Sequence, residues 1–126
     1  MQTEKTIVHP LKLLVIEDEG EMCLLVELLL AKPEVTVDYV RTIGAAKDFL
    51  EKHQPEVILL DNRLPDGYGI DFIQYVKSTY PGIRIILISG IDLEAEDAAL
   101  EIGADTFLAK PFNKRQLEES IQKILN

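Results

Sequence analysis

The sequence predicts an α/β fold, in which one parallel five-stranded sheet carries helices on both faces. Strand-like and helix-like segments alternate five times with no linker, repeat or low-complexity tract between them. The first, third and fourth strand segments are nearly unbroken apolar runs, as strands buried on both faces require. A chain of 126 residues that is 47% hydrophobic suits one domain with one sizeable core and is too short for two.

Each element follows from its local pattern. LKLLVI, Leu11 to Ile16, is an apolar run with a single lysine and reads as a buried strand. EMCLLVELLLA, Glu21 to Ala31, is too long and too rich in leucine for a strand. It reads as a helix with Met22, Val26 and Leu29 inward, stopped before Pro33. EVTVDYV, Glu34 to Val40, alternates and is β-branched, the signature of an edge strand. Gly44 to His53 reads as a helix burying Ala46, Phe49 and Leu50. EVILL, ending at Leu60, is the third strand, and Tyr68 to Thr79 is a helix with Phe72, Ile73 and Val76 on one face. RIILIS, Arg84 to Ser89, is the fourth strand. Leu93 to Ala104 is an acidic helix closed by Gly103, and TFLA, Thr106 to Ala109, is the last strand. The final helix starts from a capping-box pair, Asn113 and Gln116, and buries Leu117, Ile121 and Ile124. With the three most apolar strands central, the doubly wound order is 2-1-3-4-5.

The totals exclude several classes. A formal net charge of -9 with no Lys/Arg run argues against a nucleic-acid groove and against an anionic membrane surface. Acids on the fourth helix, Glu94, Glu96, Asp97 and Glu101, reinforce the expectation of no direct DNA contact. The single cysteine, Cys23, excludes an intrachain disulfide and a CxxC metal site, and reads as buried packing in a reducing cytoplasm. The N-terminus lacks the apolar core of a signal peptide, and no apolar run reaches membrane-spanning length. His9 and His53 read as solvated loop residues.

In an open sheet of this type, ligands bind beyond the carboxyl ends of the strands. The first strand ends at Glu17 and Asp18, the third at Asp61, the fourth at Ser89 and the last at Lys110–Pro111. Clustered carboxylates raise one another's pKa, and a hard divalent cation such as Mg²⁺ or Mn²⁺ relieves the repulsion. A phosphoryl group matches the remainder. Lys110 offers a point charge, Ser89 a hydroxyl, and one carboxylate is left as nucleophile. Asp61, on a central strand between the acid pair and the Ser/Lys side, suits that role. The LPDG turn that follows sends the chain away at once, so that Asp61 faces the pocket and the Arg63 carbonyl is able to curl back toward the cation.

The segments EDE, LLDNRLPDGYG, LISG and AKPF, in this order, resemble the receiver domain of two-component response regulators, a CheY-like, flavodoxin-like (βα)5 three-layer sandwich. The resemblance spans about Leu11 to Leu125 and implies a receiver domain over 11–126 behind a short N-terminal extension, 1–10. It implies phosphoryl transfer from a histidine kinase or histidine phosphotransfer protein onto Asp61. It further implies Mg²⁺ held by Asp18, Asp61 and the Arg63 carbonyl, with Glu17 helping through water. Ser89 matches the hydroxyl switch, Lys110 the invariant lysine before an often cis proline, and Phe107 the aromatic switch. Output would then pass through the face of the fourth helix, fifth strand and fifth helix, to an output domain or a downstream protein. The domain is expected to be cytoplasmic and a phosphoacceptor, with only self-phosphorylation and self-dephosphorylation as chemistry of its own. Two residues depart from the commoner pattern: Glu17 stands where Asp is more usual, and Phe107 where Tyr is.

Singly, each residue also has an ordinary reading: helix-start acids for Glu17 and Asp18, turn capping for Asp61, a helix cap for Ser89, a surface lysine for Lys110 and plain core for Phe107. Asp66 and Gly67 read as turn chemistry. The first helix has more leucine than one buried stripe uses, so Met22, Leu25, Pro111 and Phe112 are candidates for a phosphodonor docking surface, against wider burial between helices. Two rival functions share the kit. A haloacid-dehalogenase-like Mg²⁺-dependent phosphatase would place a DxD pair on one strand, and here DNR, Asp61 to Arg63, lacks the second acid. A receiver-like scaffold that is never phosphorylated would not need the intact acid pocket.

Overall fold

The computed structural model describes residues 10–90 and 93–125. His9 and the rest of the N-terminal extension before Pro10 lie outside them, as does the side chain of Glu94. In chain order the elements are β1 (Leu11–Ile16), α1 (Gly20–Leu29), β2 (Val35–Val40), α2 (Ile43–Lys52), β3 (Val57–Asp61), β4 (Arg63–Leu64), β5 (Gly67–Tyr68), α3 (Gly69–Thr79), β6 (Arg84–Ser89), α4 (Leu93–Ile102), β7 (Thr106–Ala109) and α5 (Lys114–Leu125). The main sheet is five-stranded and parallel throughout, in the order β2-β1-β3-β6-β7. That is the expected 2-1-3-4-5 arrangement. The small antiparallel ribbon β4–β5 is an addition: it occupies the stretch read from sequence as a turn and takes Tyr68, read as the start of the third helix, into its second strand.

Period-two alternation splits the central strands between two cores. Leu13, Val15, Leu59, Ile86 and Ile88 pack with Cys23 and Val26 of α1 and with Leu117, Ile121 and Ile124 of α5. Leu14, Ile16, Ile58, Leu60, Ile85 and Leu87 pack with Ala46 and Leu50 of α2, Phe72, Ile73 and Val76 of α3, and Ala99 of α4. Each such side chain removed from water contributes roughly 1.5–3 kcal/mol, which is why the continuous apolar runs take the central positions. Edge strand β2 alternates half-buried Val35 and Val37 with exposed Thr36 and Asp38.

Three expectations about side chains shift. The buried stripe of α1 is Cys23, Val26 and Leu30, with Met22 and Leu29 only partly covered; Leu24, Leu25 and Leu28 face outward. Phe49 is half-buried and tilts against the exposed His53 at 5.0 Å between ring centroids. Phe112 is buried in the α1/α5 core, so it is not available as a docking residue, whereas Pro111 and Leu25 are exposed. The capping box of α5 forms as expected: Gln116 N–H donates to Asn113 Oδ1 at 2.8 Å, and Asn113 N–H to Gln116 Oε1 at 2.9 Å.

Candidate functional site

All parallel strands point the same way, so their C-terminal residues gather on one edge. Ile16 pairs with Leu60, which sets Glu17 and Asp18 beside Asp61. The next strand pairs Asp61 with Ile88, just before Ser89, and Ser89 with Ala109, just before Lys110. One oxygen from each of Glu17, Asp18 and Asp61 lies within 4.8 Å of the others. Asp18, Glu19, Asp61, Asn62, Arg63, Tyr68, Ser89, Gly90 and Lys110 line an open pocket of about 670 Å³. Glu17 sits below its floor, with no solvent exposure.

Lys110 reaches this cluster from the loop after β7, behind a cis Lys110–Pro111 bond. Its main-chain N–H donates to Ser89 O at 2.7 Å, which aims the side chain inward. Its Nζ donates to Glu17 Oε1 at 2.9 Å and to Asp61 Oδ1 at 3.2 Å, and lies 3.6 Å from Glu19 Oε1. The other Glu17 oxygen accepts the Glu19 main-chain N–H at 3.3 Å. Glu17 is thus spent on holding the lysine and the start of α1.

Burial pushes the Glu17 carboxyl above the ordinary carboxylate range; the Lys110 hydrogen bond offsets part of this and the Asp61 charge adds to it. Burial likewise raises Asp61, with the Lys110 charge only partly compensating. For Lys110 burial acts downward, yet the Glu17 hydrogen bond and the Asp61 charge outweigh it and leave the ammonium more firmly protonated than usual. An acid pair of this kind, short of positive charge, is what a hard divalent cation would satisfy. The donor set is all oxygen, without nitrogen or sulfur, and fits Mg²⁺ or Mn²⁺ rather than zinc.

The loop after Asp61 is built from residues whose roles are invisible to local pattern. Asn62 O accepts the Gly69 N–H at 2.7 Å and Asn62 Oδ1 the Ile70 N–H at 3.0 Å, so Asn62 caps α3. Gly69 is required by close approach: a Cβ there would stand 2.3 Å from the Asp61 carbonyl oxygen. Asp66 reaches across the fold to α2, where Oδ1 and Oδ2 accept the N–H groups of Ile43 and Gly44, both at 2.9 Å. The LPDG turn signal located the ribbon but held no sign of that partner.

Of the residues singled out from sequence, Glu17, Asp18, Asp61 and Lys110 come together, and Ser89 and Arg63 line the same pocket. Phe107 stands apart. It is half-buried on β7 and lines a shallow groove with Gln116, Glu119, Ser120 and Lys123 of α5. Cys23 is buried with its thiol pushed up, first by burial and then by the Glu17 charge, and serves as packing.

A doubly wound parallel sheet with an acid-and-lysine pocket beyond its carboxyl edge defines a flavodoxin-like domain built around that edge. A family model for the response regulator receiver domain matches residues 13–122, and the chain belongs to that family, a class of signalling domains. It is 30% identical over 115 residues to the response regulator protein PilR of Pseudomonas aeruginosa, covering 90% of this chain and 26% of that protein. It is 36% identical over 109 residues to the regulatory protein VanR of Enterococcus faecium, covering 84% of this chain and 46% of that one. The chain therefore spans about a quarter to a half of such relatives. Among solved structures, a putative response regulator from Chloroflexus aurantiacus superposes with a TM-score of 0.86 at 26% identity, covering 92% of this chain and 98% of that one. A CheY-like receiver domain protein from Methanospirillum hungatei gives 0.84 at 27% identity, covering 90% and 92%. Among the described residues, no helix is long and apolar enough to cross a membrane.

Proposed function

We propose that residues 11–126 form a receiver domain, behind an N-terminal extension at 1–10, that accepts a phosphoryl group on Asp61 from a histidine kinase or a histidine phosphotransfer protein in a Mg²⁺-dependent reaction. The observation that carries this is Lys110, whose ammonium bridges Glu17 and Asp61 beside Asp18. Asp18, Asp61 and the Arg63 carbonyl would hold the cation, Mg²⁺ or else Mn²⁺, with Glu17 behind them. A bound cation supplies Lewis-acid neutralisation of phosphoryl charge at this pocket.

The chain's own residues do the rest. β3 presents Asp61 rigidly at the pocket floor. A carboxylate oxygen of Asp61 forms the P–O bond as the P–N bond of the phosphohistidine breaks, and the imidazole leaves with a proton from solvent. Lys110 neutralises charge on the phosphoryl oxygens, and Ser89, beside it on the neighbouring strand, offers a hydroxyl donor. The aspartyl phosphate brings added charge and strong acceptors. Ser89 moves toward it, and half-buried Phe107 turns into the space released. That shift in population reshapes the face of α4, β7 and α5. The face then reports to an output domain or a downstream protein in the cytoplasm, without direct contact to nucleic acid or membrane.

The test is intact mass after acetyl phosphate, with and without Mg²⁺. Wild type gains one phosphoryl mass only with Mg²⁺, and Asp61→Ala gains none. A wild-type protein that stays unmodified under these conditions would leave the unphosphorylated scaffold in its place; steady turnover of p-nitrophenyl phosphate would favour a phosphatase.

A further inference from the structure

The β4–β5 ribbon carries two residues of the pocket, Arg63 and Tyr68, which face each other across it. A two-residue ribbon cannot hold itself in place; isolated hairpins are marginal in water. At its base it is fixed by Asn62, which takes the Gly69 and Ile70 N–H groups, and by the tight fit of Gly69 against Asp61. At its tip the fixing point is Asp66, with both carboxylate oxygens on the first turn of α2.

The N–H groups of that first turn have these partners. Ile43 and Gly44 N–H go to Asp66, Ala45 N–H to Thr42 Oγ1 at 3.0 Å, and Ala46 N–H to Thr42 O at 3.0 Å. The N–H groups of Ile43, Gly44 and Ala45, which the helix itself leaves without a partner, are shared between its own cap Thr42 and the tip of the pocket ribbon, and Ala46 N–H makes the first bond within the helix. The contact is close on the apolar side as well. Gly67 adopts a φ of +156°, and a Cβ there would come 2.9 Å from Ile43 Cδ1. Leu64 and Ile43 pack against the same core.

We infer that Asp66 is a positioning residue for the divalent-cation site: by clamping the ribbon to the N-terminus of α2 it sets where the Arg63 carbonyl stands relative to Asp18 and Asp61. The inference rests on the Mg²⁺ reading above. Asp66 touches no proposed ligand and acts only through the ribbon. Cation binding and the seating of α2 are then one coupled equilibrium. A cation that draws in the Arg63 carbonyl tightens the Asp66 clamp, and loss of the clamp frees that carbonyl. The two main-chain bonds that hold Asp66 also lower its carboxyl pKa, so the clamp is charged at neutral pH.

The experiment is Mg²⁺ titration by calorimetry on wild type, Asp66→Ala, Asp66→Asn and Asn113→Ala, with amide exchange read at Ile43 and Gly44. Asn113→Ala removes a side-chain cap from α5 at a residue that does not line the pocket, and controls for simple loss of stability. Asp66→Ala is expected to weaken Mg²⁺ by about three- to tenfold, at or below the usual cost of losing an outer partner of a metal ligand. Asp66→Asn, which keeps one acceptor oxygen, falls between. Mg²⁺ slows exchange at Ile43 and Gly44 in wild type and not in Asp66→Ala. Should Asp66→Ala fail to fold, Asp66→Asn carries the same comparison. Mg²⁺ affinity of the Asp66 variants within about twofold of wild type, with their melting temperature lowered as in Asn113→Ala, overturns the inference and leaves the Mg²⁺ site standing. Absence of Mg²⁺ binding to wild type overturns both.

Discussion

Lys110 Nζ donates to Glu17 Oε1 at 2.9 Å, and Glu17 has no solvent exposure at all. The lysine's nearest carboxylate is therefore the buried acid beneath the pocket rather than Asp61, which it meets at 3.2 Å. One ammonium thus serves two carboxylates.

The pair should be measurable as a coupling energy. Lys110→Met leaves a carboxylate buried without its partner and is expected to lose about 2–3 kcal/mol, slightly below the usual range for a buried pair because Lys110 is partly exposed. Adding Glu17→Gln removes the orphaned charge and restores part of that loss. A double-mutant cycle by urea melts should give roughly 1–3 kcal/mol of coupling. A value indistinguishable from zero would mean that the contact is geometric only.

The acid pair also sets a pH dependence. Burial raises the folded-state pKa of Asp61 and of Glu17, so the native protein binds protons more tightly there than the unfolded chain does. Ionising them costs stability above the raised pKa values, and that cost is absent below the ordinary carboxylate range. Without divalent cations, the melting temperature should therefore rise as pH falls from neutrality toward that range. Asp61→Asn should be the more stable protein at pH 7, and its profile should be flatter. Asp66 acts in the opposite sense: its main-chain bonds lower its pKa, so its contribution is present above the ordinary aspartate range and fades as pH falls through the lowered value. Thermal melts across pH in chelator, wild type against Asp61→Asn, decide it; a less stable Asp61→Asn at pH 7 contradicts the sign.

Gly69 and Gly82 make a matched pair. A methyl at Gly69 meets the Asp61 carbonyl at 2.3 Å, whereas at Gly82 nothing lies within 4 Å. Gly69→Ala should cost roughly 1–3 kcal/mol, as overpacking against backbone does, and should slow phosphorylation by acetyl phosphate because Asp61 is displaced. Gly82→Ala should stay within about 0.5 kcal/mol of wild type. Equal stabilities for the two would show that the backbone at Gly69 yields freely.

Asn113→Ala should cost about 1 kcal/mol, the usual worth of an N-cap side chain, and leave phosphorylation by acetyl phosphate unchanged. Urea melts and the intact-mass assay check the two halves. A large drop in phosphorylation would tie the start of α5 to the pocket, through Lys110 three residues before it.

Patterns local to a few residues carried most of the architecture. Leu11–Ile16, Arg84–Ser89 and Thr106–Ala109 begin and end where their apolar runs do, and the reciprocal Asn113–Gln116 cap forms as spelled. Parallel strands of known order then bring Glu17, Asp18, Asp61, Ser89 and Lys110 to one edge, since each lies at or just past the end of its strand. Which of these groups touch is a different matter. That Glu17 rather than Asp61 is Lys110's closest acid, that Asp66 crosses to α2, that Asn62 caps α3 and that Phe112 turns inward all depend on how far one loop stands from another. Periodicity and turn chemistry report on near neighbours in the chain; Lys110 and Glu17, and Asp66 and α2, are separated by one or more whole elements, and Asn62 meets Ile70 only because the ribbon folds the chain between them back on itself.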